Sequence, residues 1–234
     1  MPIDSTADHV AVMVPDVSAA AERWHDRLGG GWVLPRFVQQ DAGFAGRQVR
    51  YRNGAKLEIL EPIDDDGFAA RFLSRFGPRV HHLTLKLPDL LEAVGEVRGH
   101  GYDVVDVFTA GDVWHEAFLR PSQVGGLIVQ IAWAANTDDE RAEGVPDHPE
   151  PPAEDGAELL GPTLTHPDLD AATKLWEVLG ADVDRDGDVL RVSWRTSPLT
   201  VEIHRGVTAG PVGLRYTGTP SLPADAVAGP AVLA

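Results

Sequence analysis

"HHLTLKLPD", residues 81 to 89, sets the fold once it is read beside "DHVAVMVPD", residues 8 to 16. In the first stretch Leu83, Leu85 and Leu87 alternate with His82, Thr84 and Lys86, so it is a strand with one apolar face, and Pro88 stops it. The second has the same alternation and also ends in Pro-Asp. The two run on together without a gap through "VSAAAERW" and "LLEAVGEV", His82 following His9 by 73 residues (82 minus 9). Asp after Pro is a helix N-cap signal. Val17, Ala20, Ala21, Trp24 and Leu28 then keep helical spacing, as do Leu90, Leu91, Val94 and Val97. Each copy therefore begins as strand then helix.

The repeat reaches further. "KLEILEP" (56 to 62) and "LIVQIAW" (127 to 133) are apolar strands with a single polar residue at the centre, Glu58 and Gln130, 72 residues apart (130 minus 58). A third copy, "GPTLTHPDLDAATKLWEVLG" (161 to 180), repeats the Pro-Asp and the helix, with Trp176 in the place of Trp24 and Gly161 in the place of His9 and His82. "LTVEIHRG" (199 to 206) echoes "KLEILEP" and sets Glu202 where Glu58 stands, and "PVGLRYTG" (211 to 218) reads as the start of a truncated fourth copy. Between the halves, "TDDERAEGVPDHPEPPAEDGAE" (137 to 158) carries nine acids against the single base Arg141 and reads as an exposed Pro-rich linker. The expected organisation is a histidine-bearing pair of repeats over 1–136, the linker over 137–158, and a degenerate, partly truncated domain over 159–234.

Composition narrows the function classes. The 234 residues carry 20 Lys+Arg against 36 Asp+Glu, a net charge of −16, which argues against nucleic acid and anionic membrane as partners. Cysteine is absent, which excludes disulfides, thiolate metal sites and cysteine nucleophiles. The N-terminal apolar run has no basic region before it and is too short to span a bilayer, so a soluble cytoplasmic protein is expected. "WHEAF" (114 to 118) begins like a metalloprotease motif but lacks the second histidine, and Trp114 and Phe118 read as packing residues.

With the leucines facing the helices, His82 and not His81 turns to the other, concave face, as does His9. Glu58 and Gln130 are the lone polar groups of their strands. Four such residues at repeat-related positions are candidates to meet. Two imidazoles, one carboxylate and one amide oxygen make a mixed nitrogen and oxygen donor set suited to one divalent ion, with positions left for substrate. Cobalt, nickel, manganese, zinc or iron fits such a set; magnesium or calcium suits two histidines less well. Arg47, Arg50 and Lys56 could receive an anionic small-molecule substrate, and are equally readable as a solvated strand edge.

These stretches resemble the vicinal oxygen chelate superfamily of glyoxalases, bleomycin-resistance proteins and dioxygenases. The likeness rests on "DHVAVMVPD", "KLEILEP", "HHLTLKLPD" and "PSQVGGLIVQIAW", and is greatest toward the methylmalonyl-CoA epimerase branch. It implies an α+β fold of paired βαβββ modules in a cupped mixed sheet, followed by a degenerate second pair. It also implies one metal held by His9, Glu58, His82 and Gln130, with Asp41 in "QDAGF" matching the family's non-ligand base. Compared with the epimerases, Glu58 and Gln130 exchange the carboxylate and the amide. The implied activity is that of a metal-dependent isomerase, epimerase or lyase on a small carbonyl or acyl-thioester substrate through an enolate, with Asp41 and Glu58 as catalytic groups. An iron-dependent ring-cleaving dioxygenase and a non-catalytic resistance-type binding protein are the alternatives, and a homodimer is left open.

Overall fold

The computed structural model describes residues 1–217 and 231–233. Its elements in chain order are β1 (Thr6–Met13), α1 (Val17–Ala21) continued by a π-helical turn (Glu22–Arg27), β2 (Gly31–Trp32), β3 (Phe37–Gln39), β4 (Phe44–Arg50), β5 (Lys56–Pro62), α2 (Phe68–Phe76), β6 (Arg79–Lys86), α3 (Leu90–Gly99), β7 (Val104–Phe108), β8 (Trp114–Leu119) and β9 (Ile128–Ala134). After these come α4 (Asp138–Ala142), β10 (Glu158–His166), α5 (Leu169–Val178), β11 (Asp182–Asp186), β12 (Val189–Ser193), β13 (Thr200–Arg205), β14 (Gly210–Thr217) and β15 (Ala231–Leu233). Each of the three Pro-Asp signals starts a helix. The carboxylate of Asp16 accepts from Ala19 N–H, that of Asp89 from Glu92 N–H and that of Asp168 from Ala171 N–H, so orphan amide donors of the first turn are met at α1, α3 and α5.

All strands from residues 6 to 134 form one sheet in the order β2-β4-β5-β1-β6-β9-β8-β7, with β3 added against β4; strands from 158 onward form a second in the order β11-β12-β13-β10-β14-β15. β6 and β9 run parallel while β4 and β5 run antiparallel, so the first sheet is mixed. The fold is α+β, as the resemblance implied. By contacts the chain divides into two compact units, one of Met1–His9, His82–Asn136 and Gly161–Val212, the other of Val10–His81, Thr137–Leu160 and the chain from Gly213.

In the first unit Leu83 and Leu85 of β6 are fully buried, and so are Val129 and Ile131 of β9, where the alternation aims them at α3. Trp176 of α5 is buried edge to face with Trp194. In the second unit Trp24 is buried, and Ala11, Met13, Leu60 and Ala69 form a cluster with Phe37, Phe44, Phe72 and Leu73. Helix α2, which the repeat does not announce, supplies Ala69, Phe72 and Leu73 to that cluster.

The acidic segment read as an exposed linker is pinned to the second unit. Thr137 and Glu140 form a capping box on α4, and buried Asp138 pairs with buried Lys56. Ala153 N–H and Ala157 N–H donate to the carbonyls of Gly29 and Leu28 at 2.9 and 2.8 Å. His25 lies stacked on Trp32 and bonds Asp26 at 2.6 Å and Glu150 at 2.9 Å. Acidic residues stay at the surface here because particular bases and amides receive them.

Two outcomes follow from this packing. Partial burial works against protonation of His25, but the hydrogen bonds to Asp26 and Glu150 outweigh it and raise its pKa. The tether is therefore complete below the ordinary histidine value of about 6.5 and is lost as pH rises through the raised value. Hydrogen-exchange protection of the Ala153 and Ala157 amides is expected to fall as pH rises above about 6.5, and to lose that slope in His25→Ala; an equal slope in both proteins refutes it. Gly161, which takes the histidine position in the third repeat, has φ +118°, and a Cβ there would meet the Thr200 carbonyl oxygen at 2.1 Å. Gly161→Ala should lower the melting temperature by roughly 5 °C or more, as read by calorimetry.

Candidate metal centre

Neighbouring strands β5, β1 and β6 each contribute one residue to a single group, because alternation turns Glu58, His9 and His82 to the same side of the sheet. One donor atom from each of the three lies within 4.8 Å of the other two. His9 and His82 are buried, with ring centroids 5.6 Å apart and planes at 71°. His9 Nδ1–H donates to Asp8 Oδ2 at 2.7 Å, and Lys86 Nζ lies 3.5 Å from Asp8 Oδ1. A carboxylate on Nδ1 holds the imidazole in the tautomer whose Nε2 carries the lone pair. Glu58 accepts at Oε1 from Gln48 Nε2 at 3.1 Å, Gln48 being its cross-strand partner on β4.

Gln130 is buried on β9, directly beside Thr84 of β6 in the parallel ladder. Thr84, fully buried, donates from Oγ1 to Gln130 Oε1 at 2.5 Å and stands 3.0 Å from His9 Nε2. Thr84 was not singled out by the sequence, although it sits two residues after His82 on the same face. Glu116 of β8 is a second residue the sequence reading passed over. Its Oε2 accepts from Gln130 Nε2 and from Trp114 Nε1, each at 2.7 Å. Trp114, read as packing, also lies under the Lys86 ammonium, which is 5.6 Å from its ring.

The remaining named residues are placed as follows. His81 packs against Phe72 and Phe68 of α2, ring centroids 4.7 and 6.0 Å away. Burial pushes its pKa down to about 4 against the opposing pull of the Glu58 charge, so it is neutral near pH 7. Arg47 is opposite Ile59 and not Glu58, and therefore lies on the other side of β4; its guanidinium stacks 3.9 Å over Trp32 and bonds the Leu34 carbonyl and His148. Arg50 and Lys56 lie opposite each other on the Glu58 side, paired with Asp139 at 2.9 Å and with Asp138. Asp41 is exposed in the 3-10 turn Gln40–Ala42 that leads into β4, outside the His9–Glu58–His82 group.

The donor set suits a divalent transition ion: two largely buried imidazoles and a carboxylate, with an outer carboxylate on one ring. Among the described residues the second sheet offers no such set. Its strand pair places Thr163 beside Glu202, and Gly161 leaves no room for a side chain where a histidine would stand.

Residues 8–118, which include all three clustered residues, match the profile of the glyoxalase/bleomycin resistance protein/dioxygenase superfamily. That stretch of the chain is similar to this superfamily. Over 129 residues the chain is 28% identical to the ethylmalonyl-CoA/methylmalonyl-CoA epimerase of Cereibacter sphaeroides, which covers 53% of this chain and 94% of that protein. Methylmalonyl-CoA epimerase from Mycobacterium tuberculosis is similar in structure with a TM-score of 0.51 and 25% identity, over 56% of this chain and 89% of that one. A hypothetical protein from Staphylococcus aureus matches in fold alone, at a TM-score of 0.66 and 10% identity over 91% of each chain. Among the described residues no helix is long and apolar enough to cross a membrane.

If the cluster holds an ion, the two adjacent histidines must differ sharply. Protein purified without chelator or tag should carry about one divalent ion per chain by elemental mass spectrometry, lose it in His82→Ala and keep it in His81→Phe. Loss in both variants, or in neither, contradicts the assignment.

Proposed function

We propose that this chain is a divalent-metal-dependent epimerase or related isomerase that moves a proton at the carbon next to an acyl-thioester carbonyl. The observation that carries the reading is the convergence of His9, Glu58 and His82 within 4.8 Å, inside a stretch that is similar to this superfamily and whose relatives include acyl-CoA epimerases. A divalent cation held by these residues, with Gln130 as a fourth donor, would accept the substrate's carbonyl oxygen and lower the free energy of the enolate.

The protein's own groups do the rest. Asp8 keeps His9 Nε2 turned inward, and the buried Thr84 hydroxyl spaces His9 from Gln130. Glu58 is held at Oε1 by Gln48, which limits its rotation. Asp41, in its exposed turn, is the candidate base that takes the proton from the α-carbon on one side, and a second carboxylate must return one on the other. Glu58 is assigned that second role, since the strand that carries the carboxylate in the implied family pattern has Gln130 here. Arg47, Arg50 and Lys56 are not assigned to substrate, because each is engaged by the protein itself.

The test is exchange at the reacting carbon. With methylmalonyl-CoA in deuterated buffer and cobalt(II) or manganese(II) supplied, mass spectrometry should show solvent deuterium entering the α-position. His82→Ala should slow entry by at least about 1000-fold and Asp41→Asn by about 100-fold or more. Oxygen consumption with an iron-loaded protein and no deuterium entry would instead favour the dioxygenase reading. A loaded protein that neither exchanges nor consumes oxygen would leave the small-molecule binding protein.

A further inference from the structure

We propose that Glu116 is a positioning residue of this centre: it fixes the carboxamide of Gln130 so that the oxygen, and not the nitrogen, faces the His9 side. The inference deepens the metal-dependent reading above and rests on it. A carboxamide presents an oxygen acceptor and an NH2 donor of nearly equal size, and only the oxygen can meet a cation. A carboxylate at the same place would need no such orientation, because both its oxygens are acceptors. An amide ligand therefore asks for one more residue than a carboxylate ligand does.

Glu116 is built to be that residue. It lies on β8 opposite Ala132, while Phe118 lies opposite Gln130, so Glu116 is the diagonal neighbour of Gln130 on the same face of the sheet. An ionised carboxylate only accepts hydrogen bonds, so the Gln130 atom 2.7 Å from Glu116 Oε2 has to be Nε2. Trp114 Nε1, also 2.7 Å from Oε2, holds Glu116 from the other side. With Nε2 committed outward, Gln130 Oε1 turns to the Thr84 hydroxyl at 2.5 Å, and the same hydroxyl lies 3.0 Å from His9 Nε2. Gln130 Oε1 from β9 and His9 Nε2 from β1 thus both lie against the Thr84 hydroxyl. Asp8 has the corresponding effect on the opposite flank, where it takes the Nδ1–H of His9.

The experiment is calorimetric titration of the metal-free full chain with cobalt(II), comparing wild type, Glu116→Gln, Gln130→Glu and the double variant, with thermal unfolding of each to verify folding. Glu116→Gln restores a flippable pair of amides, and should weaken cobalt binding about 10- to 100-fold. In the Gln130→Glu background the same change should alter binding less than about 3-fold, because a carboxylate at 130 needs no orienting partner. Trp114→Phe, which removes one donor to Glu116 and keeps an aromatic ring, should give a smaller loss in the same direction and serves if Glu116→Gln does not fold. Unchanged affinity in Glu116→Gln, or equal losses in both backgrounds, overturns the inference while the metal centre stands. No cobalt uptake by wild type overturns the metal centre itself, and this inference with it.

Discussion

Burying polar side chains on the face of a sheet is tolerable only when their hydrogen-bonding atoms meet one another, and here that constraint organises the first sheet. His9, Thr84 and Gln130 are all withdrawn from water, and an unmet polar atom at such a depth would cost on the order of 1–3 kcal/mol. Two sets of hydrogen bonds meet this need, one from His9 to Asp8 and one from Thr84 to Gln130 and on to Glu116, which also takes the Trp114 indole N–H; the Thr84 oxygen lies 3.0 Å from His9 Nε2 between them. The parallel pairing of β6 with β9 brings Thr84 level with Gln130. A slip of one residue in that register would turn the leucines to the His82 face and the hydroxyl into the core.

The two sets also share a polarity. Carboxylates stand at their outer positions, Asp8 on one flank and Glu116 on the other, and each takes an N–H from the residue inside it. Lone-pair atoms are thereby directed inward. Outer carboxylates of this kind are the usual partners of metal-ligating side chains. The exchange of carboxylate and amide between β5 and β9 fits the same scheme, with Glu58 steadied by Gln48 and Gln130 steadied by Glu116.

Much of this was legible in the sequence. The alternation in "DHVAVMVPD" and "HHLTLKLPD", the three Pro-Asp caps and the spacing of Glu58 from Gln130 carried the strand faces and the helix starts, because period-two and capping signals are local. The distinction between His81 and His82 followed from alternation alone. Glu116, Thr84 and Asp8 were not legible as parts of a site, since their roles depend on which strand lies beside which. The acidic segment 137–158 is largely exposed, as its charge composition suggests, but only the fold places Lys56, His25 and the Gly29 carbonyl where they receive it. Arg47 was read from its charge and position, whereas its register opposite Ile59 aims it away from Glu58.

The sequence by itself determined the repeat, the strand faces and the helix starts, and named His9, Glu58, His82 and Gln130 as candidates to meet, since each follows from the spacing of residue types along the chain. Sheet order and register decided what those residues touch. Only the tertiary structure joined Glu58, His9 and His82 from three separate segments, closed the Gly161 position to any side chain, and set Glu116 against Gln130. Hydrogen bonds and close approaches between segments distant in sequence depend on three-dimensional distances, and no local pattern encodes them.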